Sequence, residues 1–139
     1  MTVYNHFPDL DALLPVCSAH WLAQHPLPDL SAAFAEPDPE DRLRAVLAGF
    51  YGYYRENEAM QTRVQGERAT VRELESWMAR SADVAMAEFA GVLAAGFARV
   101  DARALVAVAL DFWTWRRLAR EGLDDAAAAA LMAGAVASG

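Results

Sequence analysis

The residue types best suited to metal chemistry stand close together near the start of the chain. Cys17 and His20 lie one helical turn apart, and His25 follows at the predicted end of the same helix. A thiolate and imidazoles are ligands that Zn²⁺ accepts, so this segment is a candidate metal site. No acidic residue accompanies them at a recognisable spacing. A buried thiol beside an ordinary helix histidine is the favoured alternative, and we predict no bound metal.

Residues that could perform catalysis do not form a recognisable set. The sequence contains no Gly-rich phosphate-binding loop and no Ser–His–Asp order. The adjacent carboxylates of Asp124 and Asp125 fit the start of a helix better than they fit an acid–base pair. We therefore predict that the protein is not an enzyme, that it has no catalytic residue, and that it needs no cofactor.

Large aromatic side chains are the stronger functional signal. They concentrate on three long predicted helices that are otherwise rich in alanine. Rings mixed with so many small residues pack irregularly, and gaps between the helices of a bundle are common ligand sites. Some rings must be plain core, yet we predict a pocket for a small apolar or aromatic ligand, which Asp111 or Arg116 would orient unless they pair across a dimer. The candidate lining residues are Phe50, Tyr54, Trp77, Met78, Phe89, Phe112 and Arg116.

Helices must position these side chains, because the chain shows no sustained alternation that would indicate strands. We predict one domain with an all-α fold. One predicted stripe that faces the core consists of Val71, Leu74, Met78, Ala85, Phe89, Val92 and Leu93. The predicted helices span 10–25 (capped by Asp9, kinked at Pro15), 39–57, 58–64, 70–97 (capped by Thr70), 102–121 (capped by Asp101, stopped by Gly122) and 125–138 (started by Asp124 or Asp125), with breaks at 25–30 and 36–41.

The last two predicted helices carry apolar residues almost all the way round. In the segment ALVAVALDFWTW, Asp111 and Thr114 are the polar residues, and the final helix consists largely of Ala, Gly, Leu, Met and Val. A helix that is apolar on every side must be buried on both sides. We predict a homodimer in which two helices of each protomer pair, with a groove inside one protomer as the alternative. The candidate interface residues are Val108, Trp113, Ala126, Ala130, Leu131 and Gly134.

Charge and hydropathy exclude several classes of partner. The net charge is −7, and seven side-chain carboxylates precede the first arginine, Arg42, in a chain that has no lysine. A chain with this balance is not drawn to a polyphosphate by its overall field. No apolar run approaches the roughly 20 residues that span a bilayer, and no cationic start indicates a signal peptide. A single cysteine excludes an internal disulfide. We predict a cytoplasmic protein with no membrane partner.

The opening stretch TVYNHFPDLDALL resembles the junction of recognition helix and connecting helix in the TetR family of bacterial transcriptional regulators. That pattern is Thr or Ser, an aliphatic residue, Tyr, any residue, His-Phe, a short turn, and an acidic and apolar helix start. The matching residues are Thr2, Val3, Tyr4, His6, Phe7, Leu13 and Leu14. The rest of the chain agrees in architecture, with core helices, a W-R-x-L helix and an alanine-rich end.

The resemblance implies a ligand-responsive regulator with its helix–turn–helix incomplete. Residues 1–8 would be a remnant of the recognition helix and turn, and residues 9–139 an effector-binding and dimerisation domain. Thr2, Tyr4 and His6 would be the remaining DNA-facing residues, whereas Leu10 stands where the family usually has a basic residue. DNA would be a partner only if the missing helices are present. The alternative is a stand-alone helical module that dimerises or binds a small molecule without binding DNA.

Overall fold

Residues 10–138, which the computed structural model describes, form nine α-helices and contain no strand. The predicted all-α fold is confirmed. No helix in this part of the chain combines the length and hydropathy that a membrane span requires. The helices are α1 (Leu10–Gln24), α2 (Ser31–Phe34), α3 (Pro39–Glu56), α4 (Glu58–Glu67), α5 (Arg72–Arg80), α6 (Ala82–Ala94), α7 (Ala102–Leu110), α8 (Phe112–Arg120) and α9 (Asp125–Ala137).

Helix α3 lies at the centre of the main core, and α9 packs along it. Its start follows from sequence, because the Asp38 carboxylate accepts a hydrogen bond from Asp41 N–H at 2.9 Å and Pro39 occupies the first turn. The small side chains of α9 allow the two helix axes to approach closely. The buried residues of the pair are Leu43, Val46, Leu47, Phe50, Tyr51, Tyr53 and Tyr54 on α3, with Ala128, Ala129, Ala133 and Val136 on α9.

The single helix predicted over 70–97 is wrong, because α5 and α6 are separate helices joined at Ser81. The Ser81 hydroxyl donates to Trp77 O at 2.6 Å, and its N–H bonds Met78 O, so the chain turns tightly there instead of continuing the helix. Thr70 does not cap α5, since Val71 occupies the N-cap position. The stripe of core residues predicted along a single helix is therefore wrong as well. Ala85, which belongs to it, is exposed, and Val92 is 58% exposed.

The helix predicted over 102–121 is also two helices, α7 and α8, with the break at Asp111. Asp111 adopts extended backbone angles, and its carboxylate caps α8 by accepting Trp113 N–H at 3.0 Å. The carbonyls at the end of α7 find donors on α3, where Tyr51 Oη donates to Ala109 O and Tyr54 Oη to Leu110 O, each at 2.6 Å. The break is therefore stabilised on both sides by side chains.

Other predicted boundaries are close to those observed. Asp101 does not cap α7, because its carboxylate binds Arg99 instead. Asp124 caps α9 by accepting Ala127 N–H at 2.8 Å, and Gly122 ends the preceding segment at φ +91°. The break predicted over 25–30 is observed, and the short helix α2 lies between it and Asp38.

Helix α1 packs on α5 through a second apolar cluster, separate from the main core. Leu10 and Leu14 of α1 are buried there against Leu74 of α5, and Trp77 Nε1 donates to Ser18 Oγ at 3.1 Å. Pro15 lies inside α1 without interrupting it. The predicted cap Asp9 lies outside the described residues.

Candidate functional site

A cavity of about 260 Å³ lies beside the α7–α8 break. Residues of six helices, α3 to α8, line it, and the two unpredicted helix breaks lie among them. Apolar and methionine side chains form much of its wall, and charged residues from α4 and α6 form one edge. The lining residues are Tyr54, Gln65, Arg68, Met78, Ala82, Asp83, Met86, Ala87, Ala107, Leu110, Asp111 and Phe112.

Tyr54 and Phe112 form the aromatic wall of the cavity. Their rings meet edge to face, with centroids 5.5 Å apart and planes at 88°. The Tyr54 hydroxyl donates its hydrogen bond to Leu110 O, and this bond to the C-terminus of α7 fixes the orientation of the ring. Burial raises the pKa of Tyr54 well above its ordinary value, and the negative charge of Asp111 raises it further. Tyr54 therefore remains a neutral donor at physiological pH.

Arg68 holds the charged edge together. Its guanidinium makes four hydrogen bonds, two with Glu75 at 2.7 and 3.0 Å and two with Asp83 at 2.5 and 2.9 Å. The hydrogen bonds with Asp83, and then those with Glu75, raise the pKa of Arg68. Because Arg68 follows α4, Glu75 lies on α5 and Asp83 on α6, this clasp joins three elements at the cavity rim.

Met78 and Met86 also line the cavity. Met86 also packs against the main core, whereas Met78 also packs against the cluster between α1 and α5. An unbranched thioether adapts to irregular shapes and makes favourable contacts with aromatic rings. One side of the cavity is therefore continuous with the surface on which α1 rests.

The structure brings three of the predicted pocket residues, Tyr54, Met78 and Phe112, to the cavity. The other four do not line it. Phe50 is buried in the main core, and Phe89 packs against Phe50 and Phe34.

Trp77 and Arg116 are the remaining two. Trp77 faces α1 and bonds Ser18, because the turn at Ser81 directs α5 away from the main core. Arg116 lies over the ring of Trp113, with Cζ 5.3 Å from the ring centroid, and its Nε is buried without a partner among the described residues.

Sequence reasoning missed Gln65, Arg68, Asp83 and Met86. Arg68 is separated from Glu75 by seven residues and from Asp83 by fifteen. Both spacings exceed the three or four residues at which side chains contact on one helix. The clasp becomes visible only once the connection between α4 and α5 and the turn at Ser81 are known. The charged residues around Arg68 show no regular spacing along the sequence that would predict this contact.

The predicted interface residues lie on the surface of α7, α8 and α9. Val108 is 52%, Trp113 39% and Leu131 54% exposed. Ala126 and Ala130 are exposed as well, and Gly134 is half-buried. On α9, Ala130, Leu131 and Gly134 form an apolar stripe that is separate from Ala129, Ala133 and Val136, which pack on α3. Ala126 instead lies beside α3.

A second concavity, of about 330 Å³, is lined by Glu36, Asp41, Arg44, Ala45, Ala48 and Ala126. Arg44 forms an ion pair with Asp41 there, and alanines make up the rest of its wall. It offers no aromatic surface, and Arg44 is already paired with Asp41, which leaves one net negative charge, that of Glu36, on the lining. The cavity beside the α7–α8 break is the better ligand site.

The candidate metal residues are not arranged as ligands. No group of three or more His, Cys, Asp or Glu side chains in residues 10–138 could hold a metal ion. Cys17 is exposed, so the expectation of a buried thiol is wrong. Pro15 is exposed as well, whereas Leu10 and Leu14 are the buried residues of α1. The ring of His25 stacks on Trp21, with centroids 3.7 Å apart.

The predicted DNA-facing residues Thr2, Tyr4 and His6 lie outside the described residues. The boundary predicted between residues 1–8 and 9–139 falls there too. Comparison with known proteins adds no assignment: no family model matches the chain, and no curated protein or solved structure matches it either.

Proposed function

We propose that this protein is the effector-binding and dimerisation part of a TetR-like, ligand-responsive transcriptional regulator that acts in the cytoplasm and is not an enzyme. The resemblance of residues 2–14 to the TetR junction supports the family. The all-α architecture is compatible with it.

The observation that carries the proposal is that α7 serves two surfaces at once. Ala107 lines the cavity, while its neighbour Val108 is 52% exposed on the apolar outer surface. A ligand that moves the end of α7 therefore changes a helix that also contributes to the proposed dimer interface. A ligand shifts such an equilibrium by its differential affinity for the two arrangements.

The proposed homodimer pairs the outer surfaces of α7, α8 and α9 from two protomers. A stripe of the exposed residues Ala127, Ala130 and Leu131 and the half-buried Gly134 lets a second helix approach closely, because none of these side chains except Leu131 extends far from the backbone. Charged residues are absent from that stripe, as expected for the centre of an interface between identical chains.

We test assembly by substituting Ala130→Arg and measuring mass by light scattering at micromolar concentration. Wild type is expected to be a dimer, and the variant a monomer, because a guanidinium at the centre of a small-residue interface blocks approach and loses its water. Ala85→Arg, at an exposed alanine of α6, is the matched control and should remain dimeric. A monomeric wild type, or an unchanged mass for Ala130→Arg, contradicts the proposal.

A stand-alone module that does not bind DNA is the second candidate. The charge distribution favours it, since seven carboxylates precede the first arginine. The two candidates share the cavity and the dimer, and they differ in whether a DNA-reading helix–turn–helix is encoded in frame before Met1. Sequencing that coding DNA separates them.

A further inference from the structure

We propose that the cavity beside the α7–α8 break selects a small organic cation with an apolar ring, an aromatic ammonium, over neutral and acidic rings of the same size. This inference rests on the ligand-binding role proposed above and adds the chemical class of the ligand.

An exposed carboxylate without an ion-pair partner among the described residues, that of Asp111, lines the cavity. Asp111 Oδ2 accepts the N–H of Trp113, whereas Oδ1 accepts no hydrogen bond from any described residue. No arginine or histidine among residues 10–138 forms an ion pair with it. One oxygen of Asp111 is therefore available to a cationic ligand, which gains more from it than a neutral one does.

The backbone adds negative potential at the same place. Ala107 and Leu110, in the last turn of α7, line the cavity, and no basic residue lies in that turn. Carbonyls at a helix C-terminus carry a partial negative charge. Tyr51 and Tyr54 satisfy two of them by donating neutral hydroxyls, which adds no positive charge. The partial positive charge at the N-terminus of α8 is already balanced by the carboxylate of Asp111, which caps that helix.

The one cation on the lining does not offset this charge. Arg68 is bound by the carboxylates of Asp83 and Glu75, so its clasp carries an excess of one negative charge. With Asp111, one guanidinium faces three carboxylates. An anionic ligand would have to displace these hydrogen bonds and approach Asp111 as well, so acidic compounds are disfavoured.

The wall complements the apolar part of such a ligand. Tyr54 and Phe112 contribute rings to the lining, and aromatic rings attract a cation held over their faces. Met78 and Met86 offer adaptable apolar contact. A volume of about 260 Å³ is below the roughly 300 Å³ at which pockets for drug-sized ligands begin, so one ring fits better than several.

The test uses the full chain labelled with ¹³C at the methionine methyl groups. Met78 and Met86 line the cavity, and Met132 packs in the main core as an internal reference. Benzyltrimethylammonium, benzyl alcohol and phenylacetate are titrated in turn. We expect the cation to shift the Met78 and Met86 signals saturably, at about tenfold lower concentration than benzyl alcohol, with phenylacetate weakest and Met132 unmoved.

Asp111→Asn tests the charge without removing the helix cap, because asparagine caps as well as aspartate. The variant should bind the cation about tenfold more weakly and benzyl alcohol equally well. Asp124→Asn is the matched control: Asp124 also caps a helix, at 2.8 Å from Ala127 N, but lies outside the cavity, and its variant should bind as wild type does.

The outcomes separate the two proposals. Equal binding of benzyl alcohol and the cation overturns the charge preference and leaves the cavity as a ligand site. A cation affinity that is the same in wild type and Asp111→Asn also overturns it. If no ring shifts Met78 or Met86, the cation inference fails together with the ligand-binding half of the proposed function, while the mass of Ala130→Arg still decides the dimer.

Discussion

Asp125 shows how one side chain on α9 connects two parts of the main core. Its Oδ1 accepts Trp115 Nε1–H at 3.0 Å, and both its oxygens accept hydrogen bonds from Arg55 on α3. Partial burial alone would raise the pKa of Asp125, but the hydrogen bonds from Arg55 and Trp115 outweigh it and lower the pKa below its ordinary value of 3.8. The carboxylate is thus held in its charged form by the folded state.

The direction of this shift predicts a pH dependence of stability. Because the folded-state pKa is depressed, the stabilisation from Asp125 is complete well above pH 3.8 and is lost as the pH falls through the folded-state value. Asp125→Asn should lower the free energy of unfolding by about 1–2 kcal/mol at pH 7. The amide NH₂ group replaces one of the two acceptor oxygens, so one N–H donor faces the N–H donors of Arg55. Urea titrations should show that the difference from wild type shrinks by pH 3. A difference of the same size at both pH values would contradict this.

At the scale of the helix, the break at Asp111 depends on a cap whose loss can be measured. Asp111→Ala removes the acceptor of Trp113 N–H and should cost about 1 kcal/mol in the free energy of unfolding. Asp111→Asn should cost much less, because the amide oxygen accepts the same bond. Urea titrations of the two variants and wild type provide the comparison, and equal losses for alanine and asparagine would show that the hydrogen bond from Trp113 N–H contributes nothing.

How far sequence patterns predict these elements depends on where the stabilising partner lies. The limits of α3 and α9 follow from Asp38 and Asp124, caps that act within a few residues and are readable directly. The breaks at Ser81 and Asp111 interrupt apolar patterns that continue on both sides. At Asp111 the decisive donors, Tyr51 and Tyr54, are more than fifty residues away. Periodicity cannot show such partners, so both long helices were predicted as continuous.

The same limit applies to the cavity. Tyr54, Met78 and Phe112 could be selected by type and helical position alone. Arg68 and Asp83 could not, because the turn at Ser81 brings their helices together. Phe50 and Phe89 are large rings on the right helices, but they face the core, which residue type does not reveal.

For the whole molecule, charge predicts how the polypeptide of residues 1–139 behaves toward DNA. Its net charge is −7, and seven carboxylates precede Arg42. Binding to DNA requires cations that replace the counterions of the phosphates. We therefore expect no sequence-selective retention of promoter DNA and negligible non-specific binding at physiological salt. Titration of labelled promoter DNA at low and moderate salt is the measurement. Tight, sequence-selective binding by this polypeptide would contradict the expectation.

Met78 connects the cavity with helix α1. It lines the cavity and also packs in the cluster on which Leu10 and Leu14 of α1 rest. A molecule that favours one position of Met78 therefore also favours one placement of α1. Thermodynamic linkage makes the effect mutual. If a ligand changes the equilibrium for one placement of α1 by some factor, then a contact that fixes α1 in that placement changes the ligand's affinity by the same factor. The affinity of the cavity for its ligand then depends on what contacts α1 as well as on the cavity itself. Fixing α1 in place should therefore change that affinity.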